Sequence, residues 1–127
     1  MSSRKSVTED GHVSDDEFET VKDLFDAKVL VGKKKGIHNL PDFSHSPNRI
    51  YIREDRFGNF REMRIYDEKK RPVLEIAYHP EEKISGSKTK PVLHKHTFGP
   101  ELEHNPAEVL DEANYQKYKK YWEFYGI

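Results

Sequence analysis

The chain of 127 residues contains no cysteine. Disulfides, thiolate nucleophiles and every cysteine-ligated zinc or iron site are therefore excluded together. It also lacks an excess of either charge: 22 Lys and Arg stand against 23 Asp and Glu, a net charge of −1. No global field steers such a chain onto a polyanion, so any nucleic-acid contact has to come from a local patch. No apolar run approaches the roughly 18 residues of a membrane span, and the first residues lack the apolar centre of a signal peptide. These absences lead to the expectation of a cytoplasmic protein without membrane contact. Aliphatic residues are sparse as well, with only 34% of the chain hydrophobic against 35% charged. Seven Tyr, seven Phe and one Trp therefore have to supply much of the core.

What is present is organised. Met1 to Val13 is Ser, Gly and charge, and reads as a mobile leader ahead of a single domain over 14–127. Ser14 with Glu17 forms a capping-box pattern, Val13 with Phe18 a hydrophobic staple, and Phe18, Val21, Leu24 and Phe25 a helical stripe. This pattern predicts a helix over about 15–27. After Val29-Leu30-Val31, a stretch rich in Asn, Pro and Ser up to Asn48 predicts a long loop. From Arg49 the period becomes two, with strands expected at 50–53, 60–66, 72–78 and 92–98. A last helix is expected from Asn105 as cap, Pro106 at the first position and Glu108, with Tyr118, Tyr121, Trp122 and Tyr125 on its apolar side. The resulting fold class is α+β: a four-stranded antiparallel meander with an N-terminal and a C-terminal helix packed on one face.

Alternation along those strands gathers chemistry. His94 and His96 share one face, Lys95 and Thr97 the other, and Arg64, Tyr66, Glu75 and His79 join the histidine side. Imidazoles on one surface are suited to general acid and base work, one removing a 2′-hydroxyl proton and another protonating the leaving oxygen of RNA. In that reading His79, His94, His96 and Tyr66 are catalytic, Arg64, Lys95, Thr97 and Lys35 hold the phosphate, and no cofactor is needed. The same three histidines are alternatively ligands for zinc, with Glu75 or Asp67 as a carboxylate. Lys33, Lys34 and Lys35, between Gly32 and Gly36, offer a cationic patch but lack the pattern of a nucleotide-binding loop. His12, His38, His45 and His104 have no companions at informative spacing and read as surface residues.

The run Arg64-Ile65-Tyr66-Asp67, then Arg71-Pro72, a strand ending at Tyr78-His79, and Lys90-Pro91-Val92-Leu93-His94-Lys95-His96 resembles modules of phage and polymorphic toxin systems. Those modules are similar to the barnase and RelE-like ribonucleases. Three positions depart from the pattern: Lys70 stands for the Gly of the turn, Ala77 for an Asp in the strand, and Leu93 for a Pro before the first His. The resemblance implies a metal-independent ribonuclease acting on RNA, with Arg64, Tyr66, His79, His94 and His96 as its site. The competing expectation is a non-enzymatic phage or mobile-element protein. It would bind an immunity, host or virion protein through the aromatic last helix and the loop over residues 36–48.

Overall fold

A computed structural model describes residues 11–34 and 39–127. Its strands are β1 (Phe18–Leu24), β2 (Ala27–Gly32), β3 (Ile50–Glu54), β4 (Phe60–Tyr66), β5 (Pro72–Pro80), β6 (Pro91–Thr97) and β7 (Glu108–Val109). Two helices complete it, a single turn α1 (Glu82–Ser85) and α2 (Glu112–Glu123). The described strands form one seven-stranded sheet in sequence order, antiparallel throughout except for the parallel pair β2 and β3. The four expected strands are its middle, β3 to β6. The four-stranded meander flanked by two helices is thus replaced by a larger mixed sheet with one substantial helix. Among the described residues no helix is long and apolar enough to cross a membrane.

The expected helix over 15–27 is a β-hairpin, and a bulge explains the misleading spacing. Between Thr20 and Lys22 the register with β2 shifts, so Phe18 and Leu24 fall on opposite faces although both are even-numbered. Strict alternation is lost, and what remains resembles a helical stripe. Val21 and Phe25, two members of that stripe, are exposed. Nor does a capping box form. The Asp15 carboxylate accepts from the backbone N–H groups of Glu17 and Phe18, a local turn that competes with helix initiation, while Thr20 Oγ1 accepts from Val13 N–H. Val13, the end of the expected leader, is buried beside Phe18, Leu30, Leu40, Tyr51 and Tyr66; residues 1–10 of that leader lie outside the described residues.

The C-terminal helix starts later than the sequence indicates. Asn105 bonds instead to Thr97 through backbone and side chain, and Glu108–Val109 pairs with β6 as an edge strand. Asp111 is the cap, its carboxylate accepting from Asn114 N–H. Tyr118, Tyr121 and Trp122 then pack on Leu24, Val29, Ile52, Met63 and Ile76, forming the main core on one face of the sheet. Burying rings of this size is worth a few kcal/mol each, at about 25 cal/mol per Å² of apolar surface. That core occupies the helix face; the opposite face carries the smaller apolar cluster around Tyr51 and Tyr66 beside the buried polar side chains Glu62, Arg64, Glu75, His94 and His96.

Two tight turns set the register of β3 to β5, each held by an aspartate. Asp55 Oδ1 accepts from the N–H groups of Phe57 and Asn59, and Asp67 Oδ1 from those of Lys69 and Arg71. In the second turn Lys70 adopts φ 67°, a left-handed conformation that glycine reaches without steric cost. Lys70→Gly should raise the unfolding free energy by roughly 0.5–1 kcal/mol in a urea titration, the relief of strain exceeding glycine's entropic cost. An unchanged or lower midpoint would contradict the assignment.

Candidate functional site

Cross-strand register arranges the polar face in rows. Tyr51, Arg64, Glu75 and His96 are successive partners across β3 to β6; Glu62, Ala77 and His94 form the next row, and His79 pairs with Val92 beyond it. The histidine rings consequently run in a chain. His79 and His94 centroids are 4.5 Å apart, His94 and His96 5.2 Å, and His96 stacks on His104 at 4.0 Å.

The orientation of each ring follows from what its Nδ1 meets. His94 Nδ1 lies 2.8 Å from the Val92 carbonyl, His96 Nδ1 2.8 Å from that of Asn105, and His79 Nδ1 3.0 Å from that of Pro80. A carbonyl only accepts, so each Nδ1 carries a proton, and in the neutral form of each ring the bare lone pair is the one on Nε2. His94 is fully buried, yet its Nε2 has no hydrogen-bond partner among the described residues. One nitrogen from each of His79, His94 and His96 lies within 4.8 Å of the others, a set able to hold a metal ion.

Glu75, His96 and His104 form a second set at the same spacing. The two sets compete, because His96 has one uncommitted nitrogen. Glu75 is moreover already occupied: Oε1 accepts from Arg64 at 2.7 and 3.1 Å, and Oε2 lies 2.9 Å from His104 Nε2. The three-histidine set, with its lone pairs unspent, is the better ligand shell. Glu75 acts through His104, whose ring backs that of His96.

Burial and charge tune the same groups. Burial pushes His94 below the ordinary imidazole value of 6.5, and the neighbouring His79 and His96 push it the same way. For Glu75, burial opposes ionisation, but the Arg64 guanidinium and the bonds from Arg64 and His104 outweigh it and hold the carboxyl below its usual range. Glu62 moves upward, through burial and then the charge on Glu75, although Arg53 holds its Oε1 at 2.6 and 2.8 Å.

The expected phosphate holders are placed less favourably. Arg64 is buried, spending its remaining donors on the Leu40 and Pro41 carbonyls. Tyr66, also buried, donates to the Pro41 carbonyl at 2.5 Å, and burial raises its phenol above the ordinary value. Lys95 lies on the helix face, bonded to Asp111 at 2.9 Å, and Thr97 on that face accepts from Asn105. Asp67 is committed to its turn. Lys35 and His38 lie outside the described residues.

Reading the sequence missed His104, Glu62 and His45. His104 reaches the row from the segment after β6, through an isolated bridge to Phe98, so no strand period announces it. His45 sits in the long loop, 2.5 Å from Asp15 and 3.2 Å from the Tyr51 hydroxyl, clasping that loop onto β3.

Two measurements check this description. Arg64→Met removes one partner of a buried pair and should cost about 3 kcal/mol or more of stability, since Glu75 is left inside with only His104 beside it; a loss under about 1 kcal/mol would mean the pair is solvated. For His94 the folded pKa lies below the unfolded one, so the unfolded chain takes up the proton first as pH falls through 6.5, and stability drops in that window. In metal-free buffer the wild type should lose stability between about pH 7.5 and 5.5 more steeply than His94→Gln; parallel slopes would contradict it. No family model, no curated protein and no solved structure matches this chain.

Proposed function

We propose that the protein is a metal-dependent hydrolase whose ion is held by His79, His94 and His96. Three neutral imidazoles suit zinc, and a shell of three protein ligands leaves a position open for water, the arrangement of catalytic rather than structural zinc. The observation that carries this reading is His94: a fully buried imidazole with Nδ1 bound to a backbone carbonyl and Nε2 unpartnered. A buried polar nitrogen left empty costs about 1–3 kcal/mol, and a ligand is what repays it. Anchoring by carbonyls on all three rings is the second shell that metal-binding histidines use.

Metal-independent RNA cleavage by the same rings, the expectation from sequence, finds less support. It needs free cations beside the imidazoles, and Arg64 and Lys95 are both engaged elsewhere. Aromatic side chains of α2 available to a protein partner are also few, since Tyr118, Tyr121 and Trp122 are core.

Titration of metal-free protein with Co²⁺ should give one equivalent of tetrahedral visible absorption, displaced by Zn²⁺. His94→Ala should weaken Zn²⁺ binding by roughly 100-fold or more, at the upper end of what loss of a mere outer-shell partner costs. Failure to bind either ion sinks the reading. Cleavage of bulk RNA that persists in excess chelator would replace it with acid and base catalysis.

A further inference from the structure

The seven-stranded sheet parts beyond its one parallel pair. That pairing joins Lys28 to Tyr51 and Val29 to Ile52 and goes no further. Past it β2 follows β1, with Leu30, Val31 and Gly32 on Thr20, Glu19 and Phe18, while β3 follows β4, with Arg53 on Glu62. The carboxyl ends of two adjacent parallel strands therefore diverge, and a crevice of about 410 Å³ lies between them. This is the position at which open α/β sheets take up their ligands. None of His79, His94 or His96 lines it, so it is separate from the histidine row.

Three arginines line the crevice. Arg53, at the end of β3, gives Nε and Nη2 to Glu62 Oε1 at 2.8 and 2.6 Å. Arg61 is the extra residue of a bulge: Arg53 pairs with Glu62 and Glu54 with Phe60, so Arg61 has no partner on β3 and leaves the alternation of β4. Arg56, in the turn, is exposed and lays its guanidinium over the Phe57 ring at 4.8 Å. Neither Arg56 nor Arg61 has a hydrogen bond or an ion pair among the described residues. The two carboxylates on the walls are engaged. Glu54 Oε2 accepts from Lys22 Nζ and from the Tyr125 hydroxyl, both at 2.7 Å, and Asp55 Oδ1 from the N–H groups of Phe57 and Asn59, while Arg61 acts on Asp55 through charge alone. With Lys22 and Glu62 included as the partners of Glu54 and Arg53, four cations stand against three carboxylates. The excess is one positive charge, and it comes with two guanidinium forks whose donors are uncommitted.

We propose that this crevice binds the phosphate group of a small phosphate monoester, with Arg56 and Arg61 as its two forks. A guanidinium sets two parallel N–H donors against two oxygens of one anion, and a monoester phosphate brings three such oxygens and a charge of about −1.5 to −2 at neutral pH. A carboxylate has oxygens for one fork only. A nucleic-acid backbone is gripped by many cations in a row, and this crevice has three, one of them bound to Glu62. Binding here does not depend on the ion at the histidines.

The test is calorimetric titration of metal-free protein with phenyl phosphate in phosphate-free buffer, beside benzoate and poly(U). Phenyl phosphate should bind one to one with a Kd of about 1 mM or tighter, and benzoate about 10-fold more weakly or worse. Arg56→Gln and Arg61→Gln should each weaken phenyl phosphate binding about 10-fold or more, the loss of one charge-assisted fork. Arg61→Lys, which keeps the charge without the fork, should weaken it too. His94→Ala should bind as the wild type does, because the histidine row takes no part. Should a change at the bulge disturb folding, Arg56→Gln, on an exposed turn, carries the test. The proposal is overturned by wild type that binds no phenyl phosphate up to about 10 mM, or by a folded arginine variant that binds it within about twofold of wild type. Loss of binding in folded His94→Ala, benzoate bound as tightly, or poly(U) bound more tightly per phosphate than the monoester overturns it as well.

Discussion

The buried pair of Arg64 and Glu75 is the joint on which the open face of this protein is assembled. Neither group belongs inside a sheet unaccompanied, and a charge taken out of water costs several kcal/mol unless every donor and acceptor is matched. Arg64 meets that condition by reaching past Glu75 to the Leu40 and Pro41 carbonyls, which draws the loop between β2 and β3 down over the face. Glu75 meets it by accepting from His104, which brings the segment after β6 onto His96. One ion pair thus sets two irregular segments whose own sequences dictate no regular structure, and it does so next to the histidines. Half of a lone pair of charges would be a liability there; the complete network is a scaffold.

The histidine row has the opposite character. Its Nδ1 atoms are matched by carbonyls, and the buried Nε2 of His94 is not. The buried charges of Arg64 and Glu75 are matched to each other, whereas His94 Nε2, like Arg49 Nε and Trp122 Nε1 among the described residues, is buried without a hydrogen-bond partner. That contrast separates ligand chemistry from simple polarity of an open sheet side. It also favours a cation as the ligand, since the groups gathered with His94 are the ring nitrogens of His79 and His96.

How much of this was legible in the sequence differs from element to element. Strict alternation from Met63 through Ile76 to Lys95 gave β4 to β6 and the sharing of one face by Arg64, Glu75, His94 and His96, because a period of two admits few other interpretations. The first hairpin was illegible for a definite reason: a single bulge at Val21 converts alternation into spacing that a helix also satisfies. Parallel pairing of β2 with β3 was equally hidden, since the crossover between them has no period of its own. The last helix was displaced because a Pro after an Asn is as compatible with an edge strand as with a helix start, and hydrogen bonding to Thr97 decided between them. His104 and Glu62 could not be assigned roles from spacing. One arrives from an irregular segment, and the other stands out only once Arg53 is seen to bond one of its oxygens in the buried face.

The central claim is that three imidazoles on this face are held as Nδ1–H tautomers with their Nε2 lone pairs turned toward a common ion. Long-range proton–nitrogen correlation spectra of the histidine rings, recorded without metal and with one equivalent of zinc, test it most directly. The account predicts protonated Nδ1 and unprotonated Nε2 on His79, His94 and His96 in the metal-free protein, and a large shift of those three Nε2 resonances alone on adding zinc. Rings protonated at Nε2, or Nε2 resonances that zinc leaves unmoved, would contradict it.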